Sequence, residues 1–250
     1  MVDQMSSDSG DRNIPFMTTG QMREVDRAMI EDYEILLIQM MENAGRNLAH
    51  LARRRFLSGN PTGRRVLVLA GTGGNGGGGL VCARRLHNWG AYVDVVVTSQ
   101  PAQFAEIPRH QLTILRHMDV SVGVVGEAAD LPSADLIIDA IIGYSLHGAP
   151  TGPAASLIRA ANAHGAPILA LDVPSGVDTT SGSVFEPAIH ATATLTLALP
   201  KEGLRVEAAK VHVGELYLGD IGVPKELYAS PPLNIDLGPV FAEDDIIRVW

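Results

Sequence analysis

The sequence of 250 residues predicts an α/β protein in which helices cover both faces of a mostly parallel central sheet. Two observations predict this three-layer α/β/α sandwich of Rossmann-like type. From residue 65 onward, short apolar or β-branched segments alternate with helical ones, as in successive β–α–β units. Those short segments are hydrophobic almost throughout, which is typical of strands buried on both faces. A content of 46% hydrophobic and 19% charged residues suits a chain that buries a sizeable core.

The elements follow from the pattern in chain order. Thr19 is predicted to cap a helix that ends at about Asp32, and a second helix over about 36–56 carries its apolar side chains at helical spacing. Strands are then predicted at 65–70, 92–97, 121–125, 135–139 and 167–172, with helices at 79–89, 104–118 and 153–164 between them. Two more strands, at 193–199 and 213–218, complete the sheet. We expect one domain over 17–228, a disordered lead-in at 1–16 and a C-terminal tail at 229–250.

Composition and charge exclude several classes of function. A net charge of −9 argues against a general binder of nucleic acids or anionic membranes, because both need a basic surface. No apolar run approaches the roughly 20 residues of a membrane span, and residues 1–16 lack the features of a secretory signal. The single cysteine, Cys82, excludes a disulfide framework and a Cys-rich zinc site, and the eight histidines show no metal-ligand spacing. We expect a protein of a reducing compartment, the cytoplasm.

Four segments follow predicted strands, at the edge where ligands bind in open parallel sheets. They are the glycine run Gly71–Gly79, the segment from Asp139 through Gly143–Ala149, the segment Asp172–Gly176 and the pair Pro200–Lys201. Because the carboxyl ends of parallel strands share one edge, we expect these four segments to form one site.

The glycine run is predicted to let a ligand approach the backbone beside a helix N-terminus, which favours anions. A flexible connector is the alternative. Gly71, Gly73 and Gly76 match a dinucleotide-binding fingerprint, but the acid that should end the next strand is misplaced, since Asp94 lies within it. The pattern therefore disfavours an ordinary dinucleotide-dependent oxidoreductase.

Asp139 and Asp172 end hydrophobic strands, where a carboxylate is costly to bury unless it is paired, hydrogen-bonded or functional. Each can simply cap backbone amides of the loop that follows. Alternatively, Asp172, Ser175 and Asn75 can offer oxygen ligands to a hard cation, or Asp172 can act as a general base. Lys201 can either pair with a phosphate or stay solvated.

Five motifs together resemble, in order, those of the NAD(P)H-hydrate epimerase family, the YjeF N-terminal domain. They are Met41–Gly45, Ala70–Arg84, Asp139–Gly143, Leu171–Asp178 and Leu199–Lys201, and the likeness covers about residues 18–228. The resemblance implies a Rossmann-like fold, a homodimer, and an isomerase that interconverts the R and S forms of hydrated NADH or NADPH in nicotinamide nucleotide repair. Family members are often fused to a dehydratase. We expect the stand-alone form here, with a separate dehydratase as functional partner.

The resemblance also implies a role for each site residue. Asp172 is implied to bind the substrate near its reacting ring and is the candidate for acid–base catalysis. Asn75, Asp139 and Ser175 are implied to bind a potassium ion. Besides Asp172 and Lys201, the implied substrate contacts are Gly74, Asn75, Gly76, Gly77, Gly78, Gly143, Tyr144, Ser145, Leu146, His147, Gly148 and Ala149.

The glycine run departs from the family pattern at two positions. Where the family has an asparagine and an aspartate, this chain has Gly74 and Gly78, so two polar side chains of the implied substrate loop are missing. Losing one hydrogen bond to a charged group typically costs about 1.5–3 kcal/mol. The other implied site residues with polar side chains are retained, so we expect a working or weakened enzyme. They are Asn75, Asp139, Asp172, Ser175 and Lys201. The alternative is a non-catalytic nucleotide-binding or dimerising scaffold of the same fold.

Overall fold

The computed structural model describes residues 14–126 and 130–250. Its strands are Arg65–Ala70 (β1), Tyr92–Val97 (β2), Ser121–Val124 (β3), Leu136–Ala140 (β4), Ile168–Leu171 (β5), Ala193–Leu197 (β6), Glu215–Gly219 (β7) and Ile246–Arg248 (β8). They form one sheet in the order β3-β2-β1-β4-β5-β6-β7-β8. The pairs from β3 through β7 are parallel, whereas β7 and β8 pair antiparallel. The predicted fold class is confirmed.

The helices are Thr19–Glu31 (α1), Leu37–Leu51 (α2), Gly74–Asn88 (α3), Glu106–His117 (α4), Gly152–His164 (α5), Glu207–Val213 (α6) and Lys225–Ala229 (α7). The cap of α1 is Thr18 rather than Thr19, because the Thr18 side chain accepts from the Gln21 amide while the Gln21 side chain accepts from the Thr18 amide. The predicted helix over 36–56 is α2 followed by a π-helical turn, Ala52–Phe56. None of the helices in the described part of the chain is long and apolar enough to cross a membrane.

The two faces of the sheet are covered by different helices. Because side chains alternate along a strand, Val66 and Val68 of β1 join a core with α2, α3 and α4. Leu67 and Leu69 point the other way and pack with Leu157 and other side chains of α5. Burial on both faces explains why these strands read as continuous hydrophobic runs.

The ends of the chain lie partly against this core. Of the predicted lead-in at 1–16, residues 1–13 lie outside the described residues, whereas residues 14–16 are half-buried and Phe16 stacks on Trp250 with ring centroids 6.4 Å apart. The segment 229–250, which the sequence analysis places outside the domain, contributes β8 to the sheet. A strand of three residues is too short to show a hydrophobic period, so the sequence pattern did not reveal it.

Candidate functional site

The strand order reverses between β1 and β4, since β2 and β3 lie on one side of β1 and the later strands on the other. In open α/β sheets such a switch point leaves a crevice at the carboxyl ends of the strands. The structure places all four predicted segments at this edge, after β1, β4, β5 and β6. Asp139 lies next to the end of β4, with Leu69 of β1 and Ala170 of β5 beside it in register.

Most of the glycine run is required by packing within the protein. The run is not a loop up to residue 79, as the sequence predicted, because α3 begins at Gly74. A Cβ on Gly76 would overlap the Gly71 carbonyl, one on Gly77 would overlap the Met41 side chain, and one on Gly79 would lie 2.5 Å from the Ala140 Cβ. These glycines let α3 pack closely on β4 and α2.

Open space remains at the exposed start of the run. A Cβ on Gly73 or Gly74 would have no neighbour within 4 Å, and both residues are exposed. They form the N-terminus of α3, whose free amide groups suit an anion such as a phosphate. The prediction of a ligand-accessible backbone therefore narrows to these two positions.

Gly78 is buried inside α3 and does not line open space. A Cβ there would lie 2.7 Å from Cδ2 of Leu171, the residue before Asp172. An aspartate at this position, as in the family pattern, would therefore displace Leu171. The family pattern predicts a lost polar contact at Gly78, whereas in this structure the glycine also fits its apolar neighbour Leu171.

Asp139 and Ser175 join the segments that follow β4 and β5. The fully buried Asp139 carboxylate accepts from the Ser175 hydroxyl at 2.6 Å, the Ser175 amide at 2.8 Å and the Ile141 amide at 3.2 Å. Burial raises the pKa of Asp139 to about 6, and these hydrogen bonds act in the opposite direction. The Ser175 hydroxyl oxygen in turn accepts from the Ile142 amide at 2.9 Å.

Asp172 follows β5 directly and forms a buried ion pair with Lys201. Its backbone has a φ of 67°, in the left-handed region that an aspartate adopts infrequently, and its amide donates to the Leu195 carbonyl at 2.7 Å. Lys201 is fully buried, and its Nζ donates to Asp172 Oδ1, to the Leu197 carbonyl at 2.9 Å and to Thr196 Oγ1 at 3.3 Å. A buried ammonium is tolerated when it is paired and hydrogen-bonded in this way.

Neither alternative for Lys201 fits this structure. The ammonium is buried rather than solvated, and it is not free to pair with a phosphate. All three of its donors are engaged inside the protein. Lys201 reaches the crevice only through the Asp172 carboxylate that it holds.

The donors proposed for a cation are partly brought together. Ser175 contacts Asp139 rather than Asp172, and the Asn75 side chain lies against Gly143, where a Cβ would be 3.2 Å from Asn75 Cγ. Asn75 Nδ2 is buried without a hydrogen-bond partner. Because the two ends of an amide are assigned only by their hydrogen bonds, the carbonyl oxygen fits this position equally well. An amide, a carboxylate and a hydroxyl oxygen form a donor set that fits a hard monovalent cation.

The predicted substrate loop lies beside the crevice and is mostly exposed. Ser145, His147, Gly148 and Ala149 are exposed, Leu146 is half-buried and Gly143 is buried. Tyr144 is half-buried, and its hydroxyl donates to the Asp26 carboxylate. The loop therefore has one polar anchor point on the N-terminal helix.

Asp26 is a site residue that the sequence analysis missed. It lies on α1, before the first strand, and the helical period places it on the side of the buried Met22 and Met29. That spacing was the available signal, since a carboxylate on an apolar helix side needs a partner. Burial raises the pKa of Asp26, while the Tyr144 hydrogen bond and the Lys201 charge oppose the shift.

Comparisons with known proteins agree on one family. The family model described as YjeF-related protein N-terminus matches residues 37–203. An NAD(P)H-hydrate epimerase of Dehalogenimonas lykanthroporepellens is 44% identical over 231 residues, which cover 90% of this chain and 89% of that protein. One of Rhodopirellula baltica is 35% identical and covers 86% of this chain and 87% of its own length.

A two-activity relative and a solved structure extend the comparison. The bifunctional NAD(P)H-hydrate repair enzyme Nnr of Moorella thermoacetica is 38% identical over 87% of this chain, but the match spans only 42% of that protein. The crystal structure of the yeast protein YNL200c superposes with a TM-score of 0.77 and covers 94% of this chain and 100% of the yeast chain. At 24% identity, that likeness concerns the fold alone.

Proposed function

This chain belongs to the family of YjeF-related protein N-termini, and on that premise we propose that it is an NAD(P)H-hydrate epimerase, an isomerase that interconverts the R and S forms of hydrated NADH and NADPH. The observation that carries the proposal is the Asp172 carboxylate, held by a buried lysine at the crevice of the sheet. Relatives at 35–44% identity over nearly the whole chain bear the same activity in their names.

Epimerisation at the hydrated carbon requires the hydroxyl to leave, or the ring to open, and the bond to re-form on the other face. Asp172 is proposed to move the proton that this exchange requires, because it is the carboxylate at the carboxyl end of β5. Lys201 fixes the orientation of that carboxylate through the buried ion pair. The amides at Gly73 and Gly74 are proposed to receive a phosphate of the dinucleotide, and the loop Gly143–Ala149 to contact the rest.

Asn75, Asp139 and Ser175 are proposed to hold a potassium ion. The support is their oxygen donors and the buried, unpartnered amide end of Asn75. When bound, the cation would supply a fixed positive charge at the carboxyl ends of β4 and β5. The hydrogen bonds between Asp139 and Ser175 link the segments after β4 and β5, so they hold two of these donors close together.

The proposal extends to the assembly of the protein. A homodimer is proposed to form through α1 and α2, because Ile30, Tyr33, Leu36 and Leu37 leave an exposed apolar patch at the junction of these helices. Light scattering of the wild type and of Leu36→Glu tests the dimer, and a monomeric wild type would contradict it.

A separate dehydratase is the proposed functional partner, since a relative is named as a bifunctional repair enzyme. We propose a cytoplasmic location for this activity.

The decisive experiment is turnover of the separated R epimer of hydrated NADH. Purified protein with potassium is expected to form the S epimer faster than a protein-free control, as followed by chromatography. Asp172→Asn, which keeps the side-chain shape, is expected to abolish the excess rate. Wild type that matches the protein-free rate would contradict the enzyme and favour the scaffold alternative, and nucleotide binding without turnover would identify a binding domain.

The two departures in the glycine run give a matched pair of variants. Gly74→Asn meets open space and is expected to fold normally and keep or raise activity. Gly78→Asp must displace Leu171 and is expected to lower the melting temperature without gain of activity. A rise in activity for Gly78→Asp at full stability would show that the missing aspartate, rather than packing, limits this chain.

A further inference from the structure

The start of helix α1 and the residues just before it are hydrogen-bonded to the strand-end segments of the site. The Met17 amide donates to the Pro200 carbonyl at 2.8 Å, and the Glu202 amide donates to the Met17 carbonyl at 2.9 Å. Thr19 Oγ1 lies 2.7 Å from Thr179 Oγ1, in the segment that follows β5. These contacts bracket Lys201 and set the position of the helix relative to the Asp172 pair.

Asp26 extends this attachment from the helix to the substrate loop. It lies two turns beyond the start of α1, and its Oδ2 accepts the hydrogen bond of the Tyr144 hydroxyl. The neighbouring charges acting on Asp26 are Lys201 and Asp172, so the contact lies within electrostatic reach of the ion pair. Burial and the Asp26 contact raise the pKa of Tyr144 above its ordinary value, and the phenol therefore remains a donor at neutral pH.

Tyr144 is the point at which the substrate loop meets the core. Its ring packs on the apolar cluster of α1, which includes Val25 and Met29, and its carbonyl accepts from Thr179 Oγ1 at 3.5 Å. The following residues Ser145, His147, Gly148 and Ala149 are exposed. Holding Tyr144 therefore fixes the start of a segment that is otherwise in contact with solvent.

A purely structural attachment would not need a carboxylate at this position. Partial burial of Asp26 is unfavourable, and an apolar side chain would extend the side formed by Met22, Val25 and Met29 at no such cost. The polar contact fixes an orientation that apolar packing leaves free, because a hydrogen bond to a charged acceptor is strong and directional. α1 also precedes residues 37–203, the part of the chain that the family model matches.

We propose that Asp26 and Tyr144 form a latch by which α1 positions the loop Gly143–Ala149 beside Asp172. Asp26 is thus a positioning residue, acting through Tyr144. Its role in turnover rests on the epimerase activity proposed above. The latch itself is a property of the protein without substrate and can be measured separately.

Backbone NMR order parameters of the wild-type protein and of Tyr144→Phe and Asp26→Leu test the latch directly. In both variants the order parameters of residues 143–149 are expected to fall from about 0.85 to below about 0.6, while those of the strands stay unchanged. The double variant is expected to match the single variants, because both remove the same contact. Tyr33→Phe, at an exposed tyrosine of the α1–α2 connection, is the matched control. Unchanged loop order parameters in Tyr144→Phe would overturn the latch.

Kinetics with the R epimer test whether the latch serves the reaction. Tyr144→Phe is expected to lower kcat/KM about ten- to a hundredfold, mainly by raising KM, with an unchanged melting temperature. Asp26→Asn, which keeps an acceptor oxygen, is expected to restore most of what Asp26→Leu loses. Lower loop order parameters with unchanged kcat/KM would overturn the positioning role. A wild type without turnover, combined with the expected change in order parameters, would reject the epimerase but keep the latch.

Discussion

Asp139 and Asp172 both lie at the carboxyl ends of adjacent strands, yet their surroundings differ in kind. Asp139 is fully buried among neutral donors, two backbone amides and the Ser175 hydroxyl, and burial raises its pKa to about 6. Asp172 is paired with the ammonium of Lys201 and has a left-handed backbone. The strand-end position alone therefore only brings a carboxylate to the crevice. Its partner decides whether it joins loops, as Asp139 does, or presents a charge.

The largest effect is expected from removing the cation that distinguishes the two sites. Lys201→Met leaves Asp172 as a buried, unpaired carboxylate, so the free energy of unfolding should fall by about 3–5 kcal/mol. Urea denaturation measures this, with Lys225→Met, at an exposed lysine, as the matched control. The double variant Lys201→Met with Asp172→Asn should recover part of the loss. A loss below about 1 kcal/mol in the single variant would mean that the pair is not buried as described.

A smaller effect is expected from altering the neutral network. Asp139→Asn replaces one acceptor oxygen by a donor that faces either the Ser175 amide or its hydroxyl. The free energy of unfolding is expected to fall by about 1–3 kcal/mol. Denaturation beside Asp236→Asn, at an exposed aspartate, checks this. Equal stability of the two variants would refute the joining role of Asp139.

Potassium should distinguish the two aspartates by ligand binding. If the cation binds at Asp139, potassium at ten times its dissociation constant should stabilise the wild type by about 1.4 kcal/mol, seen as a rise in melting temperature. Asp172→Asn should keep this response and Asp139→Asn should lose it. Tetramethylammonium at the same concentration controls for ionic strength. A response that survives Asp139→Asn would place the cation elsewhere.

The smallest effect is expected at an ion pair far from the crevice, which sets a reference for the buried one. Arg55 holds both carboxylate oxygens of Glu215, the first residue of β7, and lowers the pKa of Glu215 to about 2. Because the folded pKa lies below the ordinary value of 4.5, the pair stabilises the fold above about pH 4.5. That contribution is lost as the pH falls toward 2.

Since both side chains of this pair are partly exposed, its contribution should be only about 0.2–1 kcal/mol. Glu215→Gln should remove the corresponding slope from the stability curve between about pH 4.5 and 2. Glu207→Gln, at an exposed glutamate, should leave the slope in place. Superimposable curves for wild type and Glu215→Gln would show that the pair contributes nothing.

The sheet could be predicted closely because its signal is local. The strands at 65–70 and 92–97 were predicted to the residue, because β1 is buried continuously from Val66 to Ala70 and β2 alternates between buried valines and less buried residues. The site was harder, because its contacts join distant parts of the chain. Asp172 and Lys201 are 29 positions apart, and Asp26 and Tyr144 are 118 apart.

The role of each glycine in the glycine run could not be predicted for a related reason. A glycine required by a ligand and one required by a neighbouring side chain give the same letter in the sequence. Only the structure shows that Met41 fills the space over Gly77, whereas the space over Gly74 is open.

Helix α1 is synthesised well before the segments to which it is attached. Tyr144 follows Asp26 by 118 positions and Thr179 follows Thr19 by 160 positions. The apolar side of the helix, with Met22, Val25 and Met29, therefore cannot be covered by these partners until they have been synthesised. Contacts of such long sequence separation form slowly and leave nascent chains open to aggregation. The helix that positions the substrate loop is thus among the last parts of the molecule to find its place.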